Sequence, residues 1–356
     1  MHGHSKNENK FKNWLQSYWK FAAVAVVILA GGASVYALTQ PEGSRLEGRS
    51  HDETASIAEE PPEPTTVPAP LTGHEVEPEE AEKPVTGVML ENSPNARPQS
   101  GLDAADIVFE AVSEGGITRF LALYQSNIPS QVGSVRSVRP YFVDWVMGFD
   151  APIAHVGGSP PALAMIQRRG TKDLDQFNHP GPFFRTSDRS APHNMFVRMN
   201  ELRNLQNSLG YTSSEFREFE WQDGEAATEV EAGSIVIDYS SQLYQARFDF
   251  QPDSNTYHRS MAGQQHRDAL TNDVISVDNV IVAYMRVERV GQNTHIGTFH
   301  GGEALVFNNG RVTRANWEQE NPLNRIQVVD DDGQQIPLNR GDTWIAIVPN
   351  DRTVSY

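Results

Sequence analysis

The stretch VGSVRSVRPYFVDW, residues 132–145, carries two arginines three residues apart, directly before a proline and an apolar run. Pro140 predicts the start of a helix, because a first-turn position does not need the N–H that proline lacks. A helix N-terminus presents unpaired backbone N–H groups and the positive end of the helix dipole. The guanidinium groups of Arg136 and Arg139 would add forked donors suited to phosphate or carboxylate. This spacing predicts an anion-binding site.

Further polar side chains stand in neighbouring loops that join strands to helices. The segment FFRTSDRSAPHN (183–194) is a polar loop before a helical pattern, and HVGGSP (155–160) joins a strand to a helix. In an open α/β sheet, such strand ends and helix starts collect at one edge, where ligands bind. We therefore predict a ligand-binding site that consists of Arg119, Arg136, Arg139, Ser159, Arg185, Arg189 and Asn194.

Two histidines could supply acid–base chemistry at this site. His193 or His155 would act as general acid or base, with Glu114 or Asp144 orienting the imidazole. Ser159 lacks the elbow motif of a serine nucleophile, so capping a helix is its favoured role. The catalytic candidates are therefore His193, His155 and Glu114. We identify no metal-binding or cofactor motif.

The same residues also have a structural interpretation. The arginines could pair with Asp144, Glu110 or Glu114 inside an acidic domain. His155 follows an apolar strand and could be a hydrogen-bonded core histidine. The sequence leaves both interpretations open, and the convergence of three separate loops favours a site.

Hydrophobic patterning predicts the elements that would position these residues. Between residues 85 and 215, strand-like apolar runs alternate with helical patterns, and SEGG (113–116) joins two runs as a hairpin. This alternation predicts an α/β N-terminal domain, a mixed sheet with flanking helices. From 216 to 356 the apolar runs are strand-like, and NNG (308–310) and DDG (331–333) mark turns. A β-rich C-terminal domain is therefore expected.

The chain as a whole is acidic and has no cysteine. Its 356 residues carry a formal net charge of −17. Nucleic-acid binding is disfavoured, because a polyanionic partner needs a basic face. The lack of cysteine excludes disulfides, thiolate chemistry, Cys-ligated metals and a lipid anchor on a cysteine.

The first 84 residues divide into three parts by composition. Residues 1–20 carry several lysines, residues 21–38 form an uncharged apolar run, and residues 39–84 are acidic and rich in proline. A helix over the apolar run would reach about 27 Å, close to the ~30 Å thickness of a hydrocarbon core. The pattern predicts a cytoplasmic tail, a single-pass anchor in the cell membrane, a disordered stalk and extracytoplasmic C-terminal domains. A cleaved signal peptide is the alternative.

Several long motifs resemble those of one bacterial family. They are ENSPNARPQSGLDAADIVFEAVSEGGITRFLALYQS, VGSVRSVRPYFVDW, HVGGSP and RSAPHN, followed by YHRSMAGQQHRDAL, ALVFNNGRVTRANW and LNRGDTWIAIVP. They are similar to the YerB-like lipoprotein family, which carries a domain of unknown function, and the resemblance covers about residues 85–356. It implies a two-part extracytoplasmic protein held at the membrane and implies no activity. Typical members resemble lipoproteins anchored through a cysteine, for which the transmembrane helix would substitute here.

Three functions remain open at this level. The chain could bind an anionic envelope component, such as a phosphate-bearing wall precursor or a glycan. It could instead be a hydrolase or transferase acting on such a ligand, with His193 or His155 moving the proton and the arginines stabilising developing charge. A structural partner-binding protein would leave the arginines as internal ion pairs. The expected partners are the cytoplasmic membrane, the anionic envelope ligand and cell-wall proteins.

Overall fold

Strands dominate the part of the chain that the computed structural model describes, residues 66–291 and 293–356. The strands before residue 230 are β1 (Val67–Pro68), β2 (Glu75–Val76), β3 (Thr86–Glu91), β4 (Ile107–Val112), β5 (Thr118–Tyr124), β6 (Gln131–Gly133), β7 (Ile153–His155), β8 (Asp173–Asp175), β9 (Phe183–Arg185), β10 (Met195–Arg198) and β11 (Trp221–Gln222). The later strands are β12 (Ser234–Asp238), β13 (Gln245–Gln251), β14 (Thr256–Met261), β15 (Gln264–Gln265), β16 (Ser276–Val277), β17 (Asn279–Met285), β18 (Val287–Val290), β19 (Asn293–Ile296), β20 (His300–Asn308), β21 (Arg311–Gln319), β22 (Gln327–Val329), β23 (Leu338–Asn339), β24 (Thr343–Pro349) and β25 (Val354–Ser355). The described helices are α1 (Pro78–Ala81), α2 (Pro140–Met147), α3 (Pro160–Arg169) and α4 (Met199–Ser208).

One mixed sheet of ten strands takes strands from both parts of the chain. Its order is β22-β21-β20-β17-β24-β4-β5-β3-β7-β8. At its centre β4 runs parallel to β24, with Phe109 opposite Ile345. A second sheet of six strands has the order β15-β14-β13-β12-β25, with β16 beside β14. The two regions separated by the sequence analysis are therefore joined by continuous strand pairing.

The centre of the ten-stranded sheet is covered on both faces. All six residues of β4 are buried, and successive side chains enter different cores. Phe109 stacks on Trp145 of α2, with ring centroids 5.4 Å apart. Val108 belongs to the core on the opposite face, where Trp344 meets Phe248 of the six-stranded sheet. Burial on both faces explains why the central strands read as continuous apolar runs.

The coarse architecture agrees with the sequence prediction. The fold is strand-rich with a mixed sheet, and all four described α-helices come before residue 216. The hairpins predicted at SEGG and NNG are confirmed between β4 and β5 and between β20 and β21. Asn309 and Gly310 have φ of 56° and 72°. Such a two-residue turn requires positive φ at both positions, which asparagine and glycine tolerate best.

The ordered region begins earlier than residue 85. Residues 66–84, which composition assigns to the stalk, form the β1–β2 hairpin and α1. Leu71 is completely buried, and the Gln125 side chain donates a hydrogen bond of 2.6 Å to the carbonyl of Lys83. Leu71 packs this segment into the core, although its acidic, proline-rich composition is typical of a disordered stalk.

The predicted tail and membrane anchor, and the stalk up to residue 65, lie outside the described residues. Within residues 66–291 and 293–356, no helix has the length and apolar character needed to span a membrane.

Candidate functional site

A short connector, residues 134–139, carries the paired arginines past the ends of two sheet strands. Its backbone is held on one side by β3, where the Arg136 N–H donates to the carbonyl of Met89 at 2.9 Å. On the other side, the N–H of Val156 donates to the Arg136 carbonyl at 3.2 Å. Helix α2 then starts at Pro140, as the sequence predicts. The connector thus places both arginines at the sheet edge where the following helices begin.

Arg119 and Arg139 converge on one carboxylate, and we call these residues the Glu114 cluster. An oxygen of Glu114 lies 3.1 Å from Nη2 of Arg119, and the other accepts a hydrogen bond from Nε of Arg139. Arg119 also donates to the carbonyl of Ser137 at 2.7 Å. Burial by itself would raise the pKa of Glu114, but the Arg139 hydrogen bond and the Arg119 charge outweigh it and hold the pKa at about 2. Glu114 therefore neutralises two arginines and makes no hydrogen bond to a histidine among the described residues.

The other carboxylates proposed as arginine partners are engaged elsewhere. Asp144 accepts hydrogen bonds from Arg169 and, at 2.7 Å, from the hydroxyl of Thr298. Burial raises the pKa of Asp144, and the Arg169 hydrogen bond partly offsets this. Glu110 pairs with Arg259 at 2.8 Å in the core. Neither carboxylate orients a candidate catalytic histidine.

Arg136 and His193 meet at a different carboxylate, Glu91, the last residue of β3. Nδ1 of His193 lies 3.0 Å from both Glu91 oxygens, and Nε of Arg136 lies 3.6 Å from one of them. The hydroxyl of Ser93 donates to Glu91 at 2.8 Å and lies 3.3 Å from Nδ1 of His193. The Glu91 side chain is buried, whereas those of Arg136 and His193 are partly exposed. We call these four residues the Glu91 cluster.

Unused hydrogen-bonding capacity distinguishes the Glu91 cluster. The Arg136 side chain makes no hydrogen bond to any described residue, and its Nε lies 3.6 Å from a Glu91 oxygen. Nδ1 of His193 is within hydrogen-bond distance of Glu91, and its Nε2 has no hydrogen-bond partner among the described residues. A buried carboxylate that holds one ring nitrogen fixes the ring orientation and leaves the other nitrogen for a ligand. The cluster therefore presents a guanidinium and an imidazole to the same exposed surface.

The loop residues Arg185, Arg189 and Asn194 mainly hold the loop that carries His193. Nη1 and Nη2 of Arg189 each donate at 2.6 Å, to the carbonyls of Ala96 and Pro98. Arg185 donates to the Asn194 side chain at 2.7 Å, and Asn194 donates to the carbonyl of Thr186 at 2.9 Å. The polar atoms of Arg189 and Asn194 are used within the protein, and Arg185 uses Nη1, so these contacts hold the loop that positions His193.

His155 is part of the core and not of the exposed surface. It is fully buried, Nδ1 lies 2.9 Å from the carbonyl of Gly157, and Nε2 lies 2.9 Å from a carboxylate oxygen of Asp173. Both ring nitrogens thus face acceptors. This geometry leaves neither nitrogen for a substrate, so His155 serves to tie β7 to β8, as the structural interpretation has it.

Ser159 occupies the N-cap position of α3 but makes no capping hydrogen bond. A capping hydroxyl accepts from the N–H of the second or third helical residue. Here Pro160 and Pro161 fill the first two positions, and Pro161 removes one of those donors. The Ser159 hydroxyl has no hydrogen-bond partner among the described residues. It is separate from the Glu91 cluster.

The sequence analysis missed Glu91 and Ser93. Both lie in ENSPNARP, a motif used above only for the family resemblance. A carboxylate that directly follows the apolar strand VTGVMLE was the available signal, because charged residues at strand ends commonly enter sites. The carboxylates considered from the sequence were Glu110, Glu114 and Asp144, and none of them contacts Arg136 or His193.

The fold and the Glu91 cluster together define a strand-rich, two-part protein in which an arginine and a histidine lie over a buried glutamate. The chain belongs to a bacterial family described as "Protein of unknown function (DUF3048)", whose N-terminal domain matches residues 71–212 and whose C-terminal domain matches residues 235–345. This finding confirms the resemblance deduced from the motifs.

Two comparisons with known proteins agree with that assignment. The chain is 34% identical over 288 residues to "Putative lipoprotein YerB" of Bacillus subtilis (strain 168). The matched region covers 79% of this chain and 86% of that protein. Its structure is similar to the crystal structure of YerB protein from Bacillus subtilis, with a TM-score of 0.73 and 31% identity, covering 82% of this chain and all of that one.

Proposed function

We propose that this chain is a membrane-attached extracytoplasmic protein of the bacterial cell envelope that binds an anionic envelope component at the Glu91 cluster. The ligand would be a phosphate-bearing wall precursor or an anionic glycan. The lipoprotein name of the Bacillus subtilis relative supports the location. The apolar run at 21–38 would attach this cysteine-free chain to the membrane as a single span.

The single observation that carries the proposal is the unused guanidinium of Arg136. An arginine that is not paired bidentately keeps its parallel N–H donors for a planar or tetrahedral anion. Glu91 holds Arg136 and His193 side by side without using the terminal nitrogens of Arg136. By contrast, Arg119 and Arg139 already share Glu114. Arg136 is therefore the cation that a ligand would contact first.

Replacing Arg136 with glutamine should abolish stabilisation by the anionic ligand. The full-length chain would be melted with inorganic phosphate, pyrophosphate and polyglycerol phosphate. A ligand at about 100 times its Kd adds roughly 2.7 kcal/mol, which raises the midpoint by several degrees. We expect the wild type and the exposed-arginine control Arg311→Gln to shift and Arg136→Gln not to shift. An equal shift in all three proteins would place the anion elsewhere.

A second function, hydrolysis or group transfer on the same ligand, is favoured by the Glu91–His193 pair. The carboxylate lies 3.0 Å from Nδ1, which leaves Nε2 to take a proton from an attacking water or hydroxyl group. Arg136, on the same carboxylate, would stabilise the charge that develops on the ligand. In this reading Glu91 takes the orienting role that the sequence analysis gave to Glu114 or Asp144.

Replacing His193 with alanine separates the two functions. If the protein is an enzyme, turnover of the bound ligand should fall by about 10²–10⁴-fold, because general acid–base catalysis contributes that much. The Kd should stay within a few-fold, since Arg136 remains. Product release and calorimetric binding would be measured on the same preparation. Equal losses of turnover and binding, or no turnover by the wild type, would leave ligand binding as the function.

A further inference from the structure

A cavity lies beside the segment that follows Glu91 in the chain. Its volume is about 510 Å³, and it is bounded by residues 94–98, the β14–β15 hairpin and the loop to Asn272. Pockets that hold small molecules have volumes of about 300–1,000 Å³. Ser93 contacts the Glu91 cluster, whereas Pro94, Arg97 and Pro98 line this cavity. The two places are therefore adjacent but separate.

Two arginines line the cavity, and none of the described lining side chains is acidic. Arg97 is held rigidly: Nε and Nη2 donate to the carbonyl of Asn92 at 3.2 and 2.9 Å, and Nη2 also donates to the carbonyl of Leu243 at 2.9 Å. Its guanidinium lies 5.2 Å from the ring centroid of Tyr244. Nη1 of Arg97 has no hydrogen-bond partner among the described residues. The two N–H groups of Nη1 are therefore held in place and available to donate to a carboxylate or phosphate oxygen.

Arg267 supplies the second charge, from the exposed rim. Its Nη1 donates to the carbonyl of Asn272 at 2.8 Å, and its Nη2 donates to the side chain of Gln265 at 2.7 Å. Its Nε makes no hydrogen bond to a described residue. These contacts orient the guanidinium and the Gln265 amide together at the rim.

His266 also lines the cavity, but Nδ1 lies against Arg259 and Nε2 lies 2.7 Å from the Gln99 side chain. Two further kinds of side chain complete the lining. Gln264, Gln265 and Asn272 provide side-chain amides, which both donate and accept hydrogen bonds as hydroxyl-rich ligands require. Pro94 and Met261 provide an apolar surface. Cations, amides and a small apolar surface match a sugar that bears a negative charge. They do not match an extended apolar ligand.

We infer that this cavity is a second ligand site, which binds a saccharide unit carrying a carboxylate or a phosphate. Arg97 and Arg267 would bind the anionic group, and the amides would bind the hydroxyl groups. The inference does not depend on the Glu91 cluster. It would allow one glycan chain to be held at two neighbouring points.

The test is calorimetric titration of the full-length chain with glucuronate, glucose 6-phosphate and glucose. The wild type should bind at least one of the two charged sugars and should not bind glucose measurably. Arg267→Gln should weaken the binding by at least about tenfold, since hydrogen bonds to charged groups contribute that much. Arg311→Gln, an exposed arginine on β21, is the matched control and should bind like the wild type.

The Arg136→Gln variant distinguishes binding at this cavity from binding at the Glu91 cluster. Arg136→Gln should bind the charged sugars as the wild type does, even if it loses the response to polyglycerol phosphate. The inference is overturned if Arg267→Gln binds as tightly as the wild type, if glucose binds as well as the charged sugars, or if Arg136→Gln alone removes binding. Failure of both charged sugars to bind would also overturn it.

Discussion

Replacing Arg259 with methionine is expected to lower the free energy of unfolding by about 3–5 kcal/mol, because it leaves the carboxylate of Glu110 buried without its partner. Both side chains are completely buried, and their charged groups lie 2.8 Å apart. Glu110 would keep two neutral donors, the hydroxyl of Thr118 at 2.8 Å and the side-chain amide of Asn92 at 3.4 Å. Neutral donors on one oxygen cannot compensate a buried negative charge.

The surroundings of Arg259 explain why the loss should be large. Its guanidinium lies 4.4 Å from the ring centroid of Trp344 and donates to Nδ1 of His266. Burial, followed by the charge of Arg259, lowers the pKa of His266 well below its usual value. The neutral ring can therefore accept from Arg259 while Nε2 donates to the Gln99 side chain at 2.7 Å. Methionine would break this chain of hydrogen bonds as well as the ion pair.

Urea unfolding of wild type and Arg259→Met, followed by tryptophan fluorescence and far-UV circular dichroism, measures this effect. The pair joins β4 to β14, so both signals should report the same destabilisation. The double variant Glu110→Gln/Arg259→Met should recover part of the loss, because no charge then remains buried. A loss below about 1 kcal/mol in the single variant would contradict the described packing.

Replacing Glu114 with glutamine should be the next most damaging change. Arg119 is 8% exposed and would keep one hydrogen bond, to the carbonyl of Ser137, but lose its carboxylate. Burial, followed by the charge of Arg139, already lowers the pKa of Arg119 to about 10. Without Glu114 the two guanidiniums would repel each other unscreened. We expect a loss of about 1–2 kcal/mol at pH 7, less than for a fully buried pair because Glu114 is partly exposed.

The effect of Glu114→Gln should depend on pH in a defined direction. The pKa of Glu114 is about 2 in the folded protein and 4.5 in the reference state. Its contribution is therefore complete above about pH 4.5 and is lost as the pH falls towards 2. The stability difference between wild type and Glu114→Gln should shrink across that window. Denaturant midpoints from pH 7 to 2.5 would show this, with the exposed Glu318→Gln as control. A difference that stays constant with pH would contradict the ion-pair geometry.

Local features of the site could be predicted from the sequence. Arg136, Arg139 and Pro140 are neighbours in the chain, so their placement before a helix depends only on turn and helix chemistry. The NNG and SEGG hairpins were predictable for the same reason. The strand-like apolar runs also predicted a mixed sheet and a strand-rich second half, and both are present in the described residues. These are signals that a few consecutive residues contain.

The partners of those residues could not be predicted, because they depend on distant strand pairing. His193 is 102 residues from Glu91, and Arg189 is 93 residues from the carbonyl it binds on Ala96. These long-range contacts decide which arginine side chains have hydrogen-bond partners and which have none. The order of residues in the chain does not reveal it. The start of the ordered region was misjudged for a similar reason, because Leu71 is buried by strands that come later.

The most direct test of the proposed function follows the side-chain NMR signals of Arg136 and His193 during titration with polyglycerol phosphate. If the Glu91 cluster is the anion site, the Arg136 Nε–H and His193 imidazole signals should shift together and saturate with one Kd. The Arg189 signal should stay fixed, because its guanidinium already donates to two backbone carbonyls. Saturable shifts at Arg119 and Arg139, with Arg136 and His193 unchanged, would contradict the assignment of the site.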